Sequence, residues 1–419
     1  MDRAAKPPLC FDVVIVGAGI IGLSIAWELT RRSKLSIAVL DKGAGIGEGS
    51  TGASSAICRH RYSMDEMVRL AQCGISAYRN WREYIELDTP AAAFCNDGVL
   101  WMPGNDLTWA DDEKQRMQRL GIVSDVLDAK ALIHRFPALS ACTETPDVET
   151  GQDHTCHEGG RYLFERDGGY MDPTAAATDL VEACRSKGVQ VLFRSEVTAV
   201  QSESGRVSSV TLATGQSLSA PVLVNAAGPW CQSLSRAAGV ELEWDLHPTR
   251  IQMLYLDRPE VLAGDIPVTV DMAGGIYFRT QNRGQQLIVG SVLEADERES
   301  VANPDDFDRQ ADDMFQHTKL HLLCHRLPTL PARGTVRSYC GLYTVNRDDV
   351  HPIVGPTGLD GFWVANGFSG HGFKLAPAIG ALVAQGVSGE SLTEDPVVPT
   401  NFFAVDRTPF QLASRSVLA

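Results

Sequence analysis

The 419-residue sequence predicts an α/β fold in which a βαβ domain is joined to a second domain built on a mainly antiparallel β-sheet. A β-branched run, Val13–Val16, leads through a glycine-rich turn into an amphipathic helix and indicates the first domain. Four short β-rich segments within residues 247–295 indicate the second domain. They follow one another without the crossover helices that parallel strands require.

The glycine-rich turn has the spacing G-x-G-x-x-G, at Gly17, Gly19 and Gly22. The first glycine permits a tight bend, the second lets a pyrophosphate approach the backbone, and the third lets helix and strand pack closely. The motif alone is weak evidence, but its place between a buried strand and a helix predicts a Rossmann-like dinucleotide site. The alternative is an ordinary βαβ unit that binds no nucleotide.

The next helix and strand support the same interpretation. The helix begins at Ile20 and Ile21, and its N-terminus offers free N–H groups and a partial positive charge to phosphates. The second strand, Ser36–Leu40, ends at Asp41. This carboxylate lies nineteen residues beyond the last motif glycine, where an acidic side chain can bind a ribose hydroxyl.

Residues 42–55 are too rich in glycine and small polar residues to form a regular element. The loop starts at Lys42 and carries hydroxyl groups at Ser50, Thr51, Ser54 and Ser55. Because it directly follows the second strand, we interpret it as a further part of a phosphate-bearing cofactor site. A flexible surface loop is the alternative.

Composition limits the classes of partner and compartment. The net charge of −15 argues against nucleic acid and anionic membranes as partners. The ten cysteines include no C-x-x-C pair, which favours a reducing compartment. No apolar run reaches the roughly 18–20 residues of a membrane span, and no signal peptide is recognised. The expected location is cytoplasmic, with an organelle matrix left open.

A polar stretch at residues 143–166 contains Asp153, His154, His157 and Glu158. These residue types can bind a metal, but their spacing does not repeat as a ligand set. We therefore interpret the stretch as an exposed loop and predict no metal site.

Two later segments repeat the character of the opening. The apolar strand at 221–226 runs into Ala227, Gly228 and Trp230, which suggests that the chain returns here to the first domain. The strand Phe362–Ala365 leads through glycine-spaced turns into a helix beginning at Ala376. Backbone N–H groups in such a turn are again free to approach a ligand.

The three motifs occur in an informative order: the opening βαβ unit, the Ala-Ala-Gly-Pro-Trp strand end, and Gly-Phe-Ser-Gly-His-Gly-Phe-Lys at 367–374. Together they resemble the D-amino-acid oxidase and sarcosine oxidase family of FAD flavoenzymes, over about residues 11–390. The resemblance implies a Rossmann-like FAD-binding domain of the GR2 type and a substrate domain on an antiparallel sheet. It divides the chain into discontinuous segments: 11–90, 150–235 and 335–390 for FAD, 91–149 and 236–334 for substrate, and 391–419 as a C-terminal tail.

The resemblance also implies a map of cofactor contacts, from the glycine turn at the pyrophosphate to the Gly-His-Gly-Phe-Lys turn at the flavin pyrimidine. The implied positions are Gly17, Gly19, Ile20, Ile21, Gly22, Asp41, Lys42, Ser50, Thr51, Ser54, Ser55, Val197, Ala227, Gly228, Trp230, Gly341, Gly370, His371, Gly372, Phe373 and Lys374.

Departures from the family's subgroups suggest a substrate. Where glycine and D-amino-acid oxidases carry an arginine after Gly-Leu, this chain reads Gly-Leu followed by Tyr343-Thr344, which is similar to sarcosine oxidases. Members of that subgroup hold a carboxylate with an arginine and a lysine that match Arg59 and Lys374 here. The resemblance therefore implies a carboxylate clamp, with Tyr343 and His371 beside it. Arg61 competes with Arg59, whose alternative role is a structural ion pair or a flavin-phosphate contact.

Two further departures concern the flavin and oxygen. The position of the flavin-linking cysteine of sarcosine oxidases is Gly341, and Cys340 is one place off, which reverses its face in a strand. We therefore expect non-covalent FAD. The oxygen-activating lysine of those oxidases corresponds to Ile288, so a dehydrogenase with a redox partner competes with an oxidase using O2. Tyr277 and Arg279 either line the substrate cavity or pair with a neighbouring strand.

Three functions follow as hypotheses. The main one is an FAD-dependent oxidoreductase that oxidises the C–N bond of an amino acid, above all a secondary or N-methyl amino acid, by hydride transfer to flavin N5. The second is a D-amino-acid or 2-hydroxy-acid dehydrogenase. The third is a non-catalytic FAD-binding assembly or scaffold protein.

Overall fold

The computed structural model describes residues 9–150, 154–331, 334–412 and 418. Of the residues weighed for a metal site, Asp153 lies outside these described residues. Among the described residues, no helix is long and apolar enough to cross a membrane.

The chain alternates helices and strands in its first half and is richer in strands in its second. The strands are β1 (Leu9–Cys10), β2 (Val13–Val16), β3 (Ile37–Leu40), β4 (Ile57–Cys58), β5 (Val99–Met102), β6 (Ser124–Asp128), β7 (Arg161–Glu165), β8 (Gly169–Tyr170), β9 (Gln190–Leu192), β10 (Val197–Glu203), β11 (Arg206–Leu212), β12 (Ser217–Ser219), β13 (Val222–Asn225), β14 (Leu246–Asp257), β15 (Val268–Asp271), β16 (Ile276–Gln281), β17 (Gln286–Ser291), β18 (Val336–Asn346), β19 (Ile353–Pro356) and β20 (Phe362–Asn366). The α-helices are α1 (Ile20–Arg32), α2 (Asp65–Arg79), α3 (Trp81–Ile85), α4 (Trp109–Arg119), α5 (Ala129–Arg135), α6 (Pro173–Ser186), α7 (Cys231–Ala237), α8 (Asp313–Arg326) and α9 (Gly372–Ser388).

The opening βαβ unit forms the centre of a six-stranded sheet in the order β19-β20-β13-β2-β3-β9. All neighbours are parallel except β19 and β20. The central strands are almost continuously apolar because helices cover them, and α1, α6 and α9 contribute to one shared core. The carboxyl ends of β2, β13 and β20 therefore lie side by side, where a doubly wound sheet binds its ligand.

The second sheet has eight strands in the order β18-β14-β17-β16-β15-β5-β7-β6. Only the β15–β5 pair is parallel, so the expectation of a mainly antiparallel second sheet is confirmed. One face packs under α5 and α8, with Leu100 and Phe278 in its core. The other face carries Trp101, Tyr277 and Ile288 and contacts β4 through Ile57.

Two strands within the segments predicted for the FAD domain join the eight-stranded sheet. They are β7, within 150–235, and β18, within 335–390. The partners of these strands, β5 for β7 and β14 for β18, lie far away in the sequence. No local sequence pattern therefore indicates which sheet the strands join. The tail after 391 packs on the first domain, where Phe403 is buried and its carbonyl accepts a hydrogen bond from Val354 N at 2.7 Å.

Candidate active site

The glycine turn has the geometry that its sequence demands. Gly17 has φ of +110°, and a Cβ atom there would overlap the carbonyl oxygen of Ala226. A Cβ atom at Gly22 would overlap the carbonyl of Gly17 itself. At Gly19 a Cβ atom would meet only the Thr51 hydroxyl, at 3.2 Å, so this side of the turn is the one open to a ligand.

Polar side chains complete the start of α1, which opens at Ile20 and Ile21. Thr51 Oγ1 accepts the N–H of Ile20 at 3.0 Å. Asp41 accepts the Ala18 N–H at 2.7 Å and the Gly43 N–H at 2.7 Å, so its carboxylate is fixed between the glycine turn and the following loop. The sequence-predicted loop 42–55 is therefore tied to the turn from both of its ends.

The edges of this surface come from distant parts of the chain. Ser195 N donates to the carbonyl of Asp41 at 2.7 Å, which brings the start of β10, with Val197, beside the end of β3. Ala227 and Gly228 follow the end of β13, where Ala226 N bonds to Val16 O at 2.9 Å.

Lys42 and Trp230 form a further edge. The Lys42 ammonium lies 4.1 Å from the centre of the Trp230 ring and pairs with Asp305. Lys42 thus joins the loop after β3 to two distant segments. The cation–π contact reaches Trp230 after β13, and the ion pair reaches Asp305 before α8.

The segment before α9 is held in an unusual backbone conformation. Gly367, Ser369 and Gly370 all have positive φ, at 74°, 45° and 85°. For Ser369, a non-glycine residue, this conformation costs on the order of 1 kcal/mol or more. Its hydroxyl accepts the Asn346 N–H at 2.9 Å, so neighbouring β18 fixes the turn in place.

His371 caps the start of α9 and is fully buried. Within the described part of the chain, neither of its ring nitrogens has a hydrogen-bond partner. Its ring lies 5.3 Å from that of Tyr62 and 5.8 Å from that of His351. Burial, with nearby Lys374, lowers the pKa of His371 well below its usual value, so the imidazole is neutral. Two unpaired buried nitrogens point to a missing polar ligand.

Three buried cations surround β4 next to this turn. Arg59 is 3% exposed, Arg279 2% and Lys374 6%. The Lys374 ammonium donates to the carbonyl of Gly370 at 3.1 Å. Burial, followed by repulsion from Arg59, lowers the pKa of Lys374 to about 7. Burial likewise lowers the pKa of Arg59 and of Arg279.

Arg59 is positioned by aromatic rings and by backbone. Its guanidinium lies 4.1 Å from the ring centre of Tyr62 and 5.4 Å from that of Trp101, and it donates to the carbonyl of Arg61. Arg61 turns to another environment, bonding to the carbonyl of Leu418 at 2.7 Å and lying between Trp101 and Trp109. Of the two arginines, only Arg59 influences the pKa of both Lys374 and His371.

Arg279 approaches from the eight-stranded sheet. Its Nε donates to the carbonyl of Ser55 at 2.7 Å and its NH1 to that of Thr280 at 2.6 Å, while its plane lies 4.1 Å from the centre of the Tyr170 ring. Ala56 N in turn donates to Ser54 Oγ at 3.0 Å. The loop 50–56 is thus held between the two domains.

Tyr277, Tyr343 and Gly341 line one narrow cavity with Ser50 and Ser55. Tyr277 is 8% exposed, and burial raises its pKa and that of Tyr343. Ser50 Oγ is buried and has no partner among the described residues. The cavity therefore offers hydroxyl groups to a ligand on the side of β18 that faces the loop.

Phe373 and Gly372, both predicted to contact the cofactor, have no side chain directed to a ligand in the simplest interpretation. Phe373 stacks on Tyr78 with ring centres 5.0 Å apart and belongs to the core between α2 and α9. Gly372 is the first residue of α9, and its backbone lies at the helix N-terminus. At both positions a ligand would meet backbone N–H groups rather than side chains.

Sequence reasoning missed two residues that shape this site. Tyr62 is fully buried, and its hydroxyl has no partner in the described chain. Glu165 accepts hydrogen bonds from His60 N and Trp101 Nε1, each at 2.7 Å. Burial acts to raise the pKa of Glu165, but the bonds from His60 and Trp101 lower it overall. Glu165 comes from β7, and only the pairing of β7 with β5 brings it near Arg59, so no local pattern could have found it.

Comparisons with known proteins identify the family of this chain. Residues 12–386 match the family described as FAD dependent oxidoreductase. The chain belongs to this family of FAD-dependent oxidoreductases.

Relatives and solved structures extend over nearly the whole chain. FAD-dependent oxidoreductase domain-containing protein 1 of Xenopus laevis is 26% identical over 90% of this chain and 79% of its own length. Sarcosine oxidase subunit beta of Rhodobacter capsulatus is 24% identical over 91% and 87%. The crystal structure of L-proline dehydrogenase from P. horikoshii matches with a TM-score of 0.79 at 21% identity, over 95% of this chain and 98% of that one.

The family is FAD-dependent, and the residues described above fit such a cofactor on physical grounds. The open side of Gly19 and the N-terminus of α1 suit a pyrophosphate. Among the described residues, the Ser50 hydroxyl and the His371 imidazole have no partner, so both can bond to a polar ligand. The N-terminus of α9, with Lys374 in its first turn, suits an anionic group.

Proposed function

We propose that this oxidoreductase oxidises the C–N bond of an amino acid, and in the finer form a secondary or N-methyl amino acid, whose carboxylate is held by Arg59 and Lys374. Bound FAD supplies the acceptor of the hydride. The residues of this chain orient the substrate, exclude water and place positive charge, and no nucleophilic side chain is required.

The observation that carries the proposal is the cluster of buried cations. Arg59, Lys374 and Arg279 gather around β4 in a chain whose net charge is −15. Burying like charges together is costly unless anions share the site, and Glu165, the buried carboxylate near Arg59, supplies one negative charge against three cations. A carboxylate between the Arg59 guanidinium and the Lys374 ammonium relieves that cost and fixes the orientation of the substrate.

The neutral imidazole and the aromatic wall suit the remainder of such a substrate. His371 is uncharged and unpaired among the described residues, so it offers a hydrogen bond without adding charge. The Tyr62 and Trp101 rings are positioned at Arg59 and close the site against water. Tyr277 and Tyr343 supply hydroxyl groups from the opposite sheet. A small substrate with one carboxylate and an apolar N-substituent matches these surroundings.

The names of two similar proteins support the finer form. Sarcosine oxidase subunit beta and L-proline dehydrogenase name substrates whose nitrogen is a secondary amine. For the acceptor, Ile288 lies directly opposite Arg279 in the β16–β17 register, so an apolar side chain stands where the resemblance to sarcosine oxidases implies an oxygen-activating lysine. This favours a dehydrogenase that passes electrons to a redox partner.

The test is anaerobic bleaching of the flavin in the FAD-loaded protein. N-methyl and cyclic secondary amino acids, D- and L-amino acids and 2-hydroxy acids are added separately, and the loss of the visible flavin absorption is followed. Bleaching by a secondary amino acid is the expected result. Preferential bleaching by D-amino acids or 2-hydroxy acids favours the alternative dehydrogenase, and no bleaching by any of them favours the scaffold hypothesis.

Matched variants locate the clamp. Arg59→Lys keeps a charge but loses the two-pronged donor, and Lys374→Met keeps much of the volume but loses the charge. Each is expected to raise KM for the substrate by roughly 30-fold or more, as for an unpaired buried charge of about 2 kcal/mol. Arg206→Ala, on an exposed hairpin, is the control and leaves KM unchanged. An unaltered KM in both clamp variants contradicts the proposal.

A further inference from the structure

We propose that Cys142, His154 and Cys156 form a binding site for a divalent metal ion that prefers thiolate and imidazole ligands, of the Zn²⁺ class. The site lies in the loop between α5 and β7, beside the substrate-domain sheet. It is the one group of three or more Cys, His, Asp or Glu side chains, among the residues described, whose donor atoms converge closely enough for one ion.

The distances match a tetrahedral site. His154 Nε2 lies 3.3 Å from Cys142 Sγ and 3.8 Å from Cys156 Sγ, and all three donor atoms lie within 4.8 Å of one another. Zinc binds sulfur at about 2.3 Å and imidazole nitrogen at about 2.0–2.1 Å, which separates tetrahedral S and N ligands by roughly 3.6 Å and two sulfurs by roughly 3.8 Å. The two nitrogen–sulfur separations are therefore close to those of a zinc site, and the two sulfur atoms lie within 4.8 Å of each other.

The backbone holds the ligands in this arrangement. Thr143 donates both its N–H, at 2.8 Å, and its hydroxyl, at 3.2 Å, to the carbonyl of His157, which clips the segment around Cys142 to the segment carrying His154 and Cys156. The carbonyl of Cys142 accepts a bond from Arg326, whose guanidinium is held by Asp271 at 2.6 and 2.9 Å. A ligand set anchored by a buried ion pair requires little ordering when metal binds.

The site is separate from the flavin surface. Cys142 follows Ala141, whose carbonyl accepts the Tyr162 hydroxyl, and both residues belong to the core beneath α5 and α8. Trp101 and Tyr277 belong to the other face of the same sheet. The metal would therefore stiffen the outer face of the substrate domain rather than take part in the oxidation.

Three protein ligands leave one coordination position open. A further imidazole, that of His325 at the end of α8, has its ring 4.9 Å from that of His154. Its Nε2 lies 3.1 Å from the carbonyl of Glu144. Because Cys156 is exposed, water can reach the fourth position.

The sequence did not reveal this set. The residues weighed from the sequence were Asp153, His154, His157 and Glu158, and they were interpreted as an exposed loop. The cluster in the structure contains His154 of these and adds Cys142 and Cys156. The spacing C-x11-H-x-C is not a familiar zinc pattern, and Cys142 joins only because the loop folds back.

The experiment measures zinc binding by the 419-residue, FAD-loaded protein. The protein is stripped of metal with a chelator under reducing conditions. It is then titrated with ZnSO4 in competition with a chromophoric zinc indicator. One equivalent of tightly bound Zn²⁺ per chain is expected. Co²⁺ in its place is expected to give thiolate-to-cobalt charge-transfer bands in the near ultraviolet.

Single variants identify the ligands. His154→Gln and Cys156→Ser alter partly or fully exposed side chains, so their flavin content and circular dichroism are expected to match the parent, while bound zinc falls to about a tenth or less. His157→Gln is the matched control and retains the full equivalent. Cys142→Ser gives the same loss but alters a buried side chain, so it is a supporting variant only.

The outcomes that overturn the proposal are specific. They are no zinc binding above that of the His154→Gln variant, zinc binding that survives both exposed-ligand variants, or a Cys142–Cys156 disulfide in non-reducing peptide mapping of the freshly purified protein. The last result would make the pair a structural cross-link rather than a metal site.

Discussion

The Lys374 ammonium gives the proposed carboxylate site a pH dependence that can be calculated. Burial and the neighbouring Arg59 lower the pKa of Lys374 to about 7 when no anion is present. A bound carboxylate favours the charged form and returns the pKa toward the ordinary value of about 10.4. At a pH between these two pKa values, binding of a carboxylate is therefore accompanied by the uptake of a proton on Lys374.

The magnitude follows from the linkage. Below pH 7 the lysine is already charged, and affinity does not change with pH. Above pH 7 the free site must first be protonated, so the affinity falls by about tenfold for each pH unit. Between pH 6 and pH 9 the dissociation constant is expected to rise by about 100-fold, which corresponds to about 2.7 kcal/mol.

Four groups near the ammonium keep one protonation state across this range. Burial, followed by the charge of Lys374, lowers the pKa of His371 well below its usual value, so the imidazole stays neutral. Burial lowers the pKa of Arg59, but a guanidinium is so strongly basic that it stays charged. Burial raises the pKa of Cys58 to about 12 and that of Tyr62 still higher, so both stay protonated.

The assay is a titration of the FAD-loaded protein with acetate, which carries a carboxylate but no amine that itself titrates. Changes in the visible flavin spectrum report binding at pH 6, 7, 8 and 9. The Lys374→Met variant is expected to bind weakly and with no dependence on pH. A dissociation constant that is flat in the parent protein, or that rises equally in Lys374→Met, refutes the assignment of this lysine.

Three further predictions concern the scaffold and the attachment of the flavin. Gly17→Ala is expected to lower the free energy of unfolding, measured by urea denaturation, by at least about 2 kcal/mol and to reduce FAD content, because it combines positive φ with a backbone overlap. Gly188→Ala, which has positive φ but open space around it, is expected to lower that free energy by only about 1 kcal/mol. Arg326→Met leaves a carboxylate buried and should cost about 3–5 kcal/mol, whereas Arg166→Met in a half-exposed pair should cost about 1 kcal/mol or less. Acid precipitation should release all FAD from the parent and from Cys340→Ser, and retention of yellow colour in the pellet would show a covalent flavin.

The parts of this protein that the sequence predicts well are those fixed by local backbone constraints. The glycine turn could be assigned because no other residue tolerates the conformation at Gly17 or the close approach at Gly22. Asp41 could be placed because the end of β3 must lie beside that turn in a parallel sheet. Each inference needs only a strand, a turn and the next strand.

What could not be predicted depends on pairing between remote segments. Glu165 reaches the Arg59 segment only through the β5–β7 pairing, and the hydroxyl of Tyr62 is significant only because the folded chain leaves it buried and, among the described residues, unpaired. The same holds for β7 and β18, whose sheet could not be assigned without knowing the strands they pair with. Sequence patterns along one strand do not carry that information.

The pairing of β18 shows how one residue of register separates two chemistries. Cys340 points into the core shared with α8, whereas Gly341 faces the loop after β3, where an added Cβ atom would overlap that of Ala53. A side chain at Gly341 able to link a flavin would therefore have to displace the loop that carries Ser50 and Ser55. The same loop accepts the hydrogen bond from Arg279, so displacing it would also disturb this buried cation. We therefore expect Gly341→Cys alone to weaken FAD binding rather than to attach the cofactor.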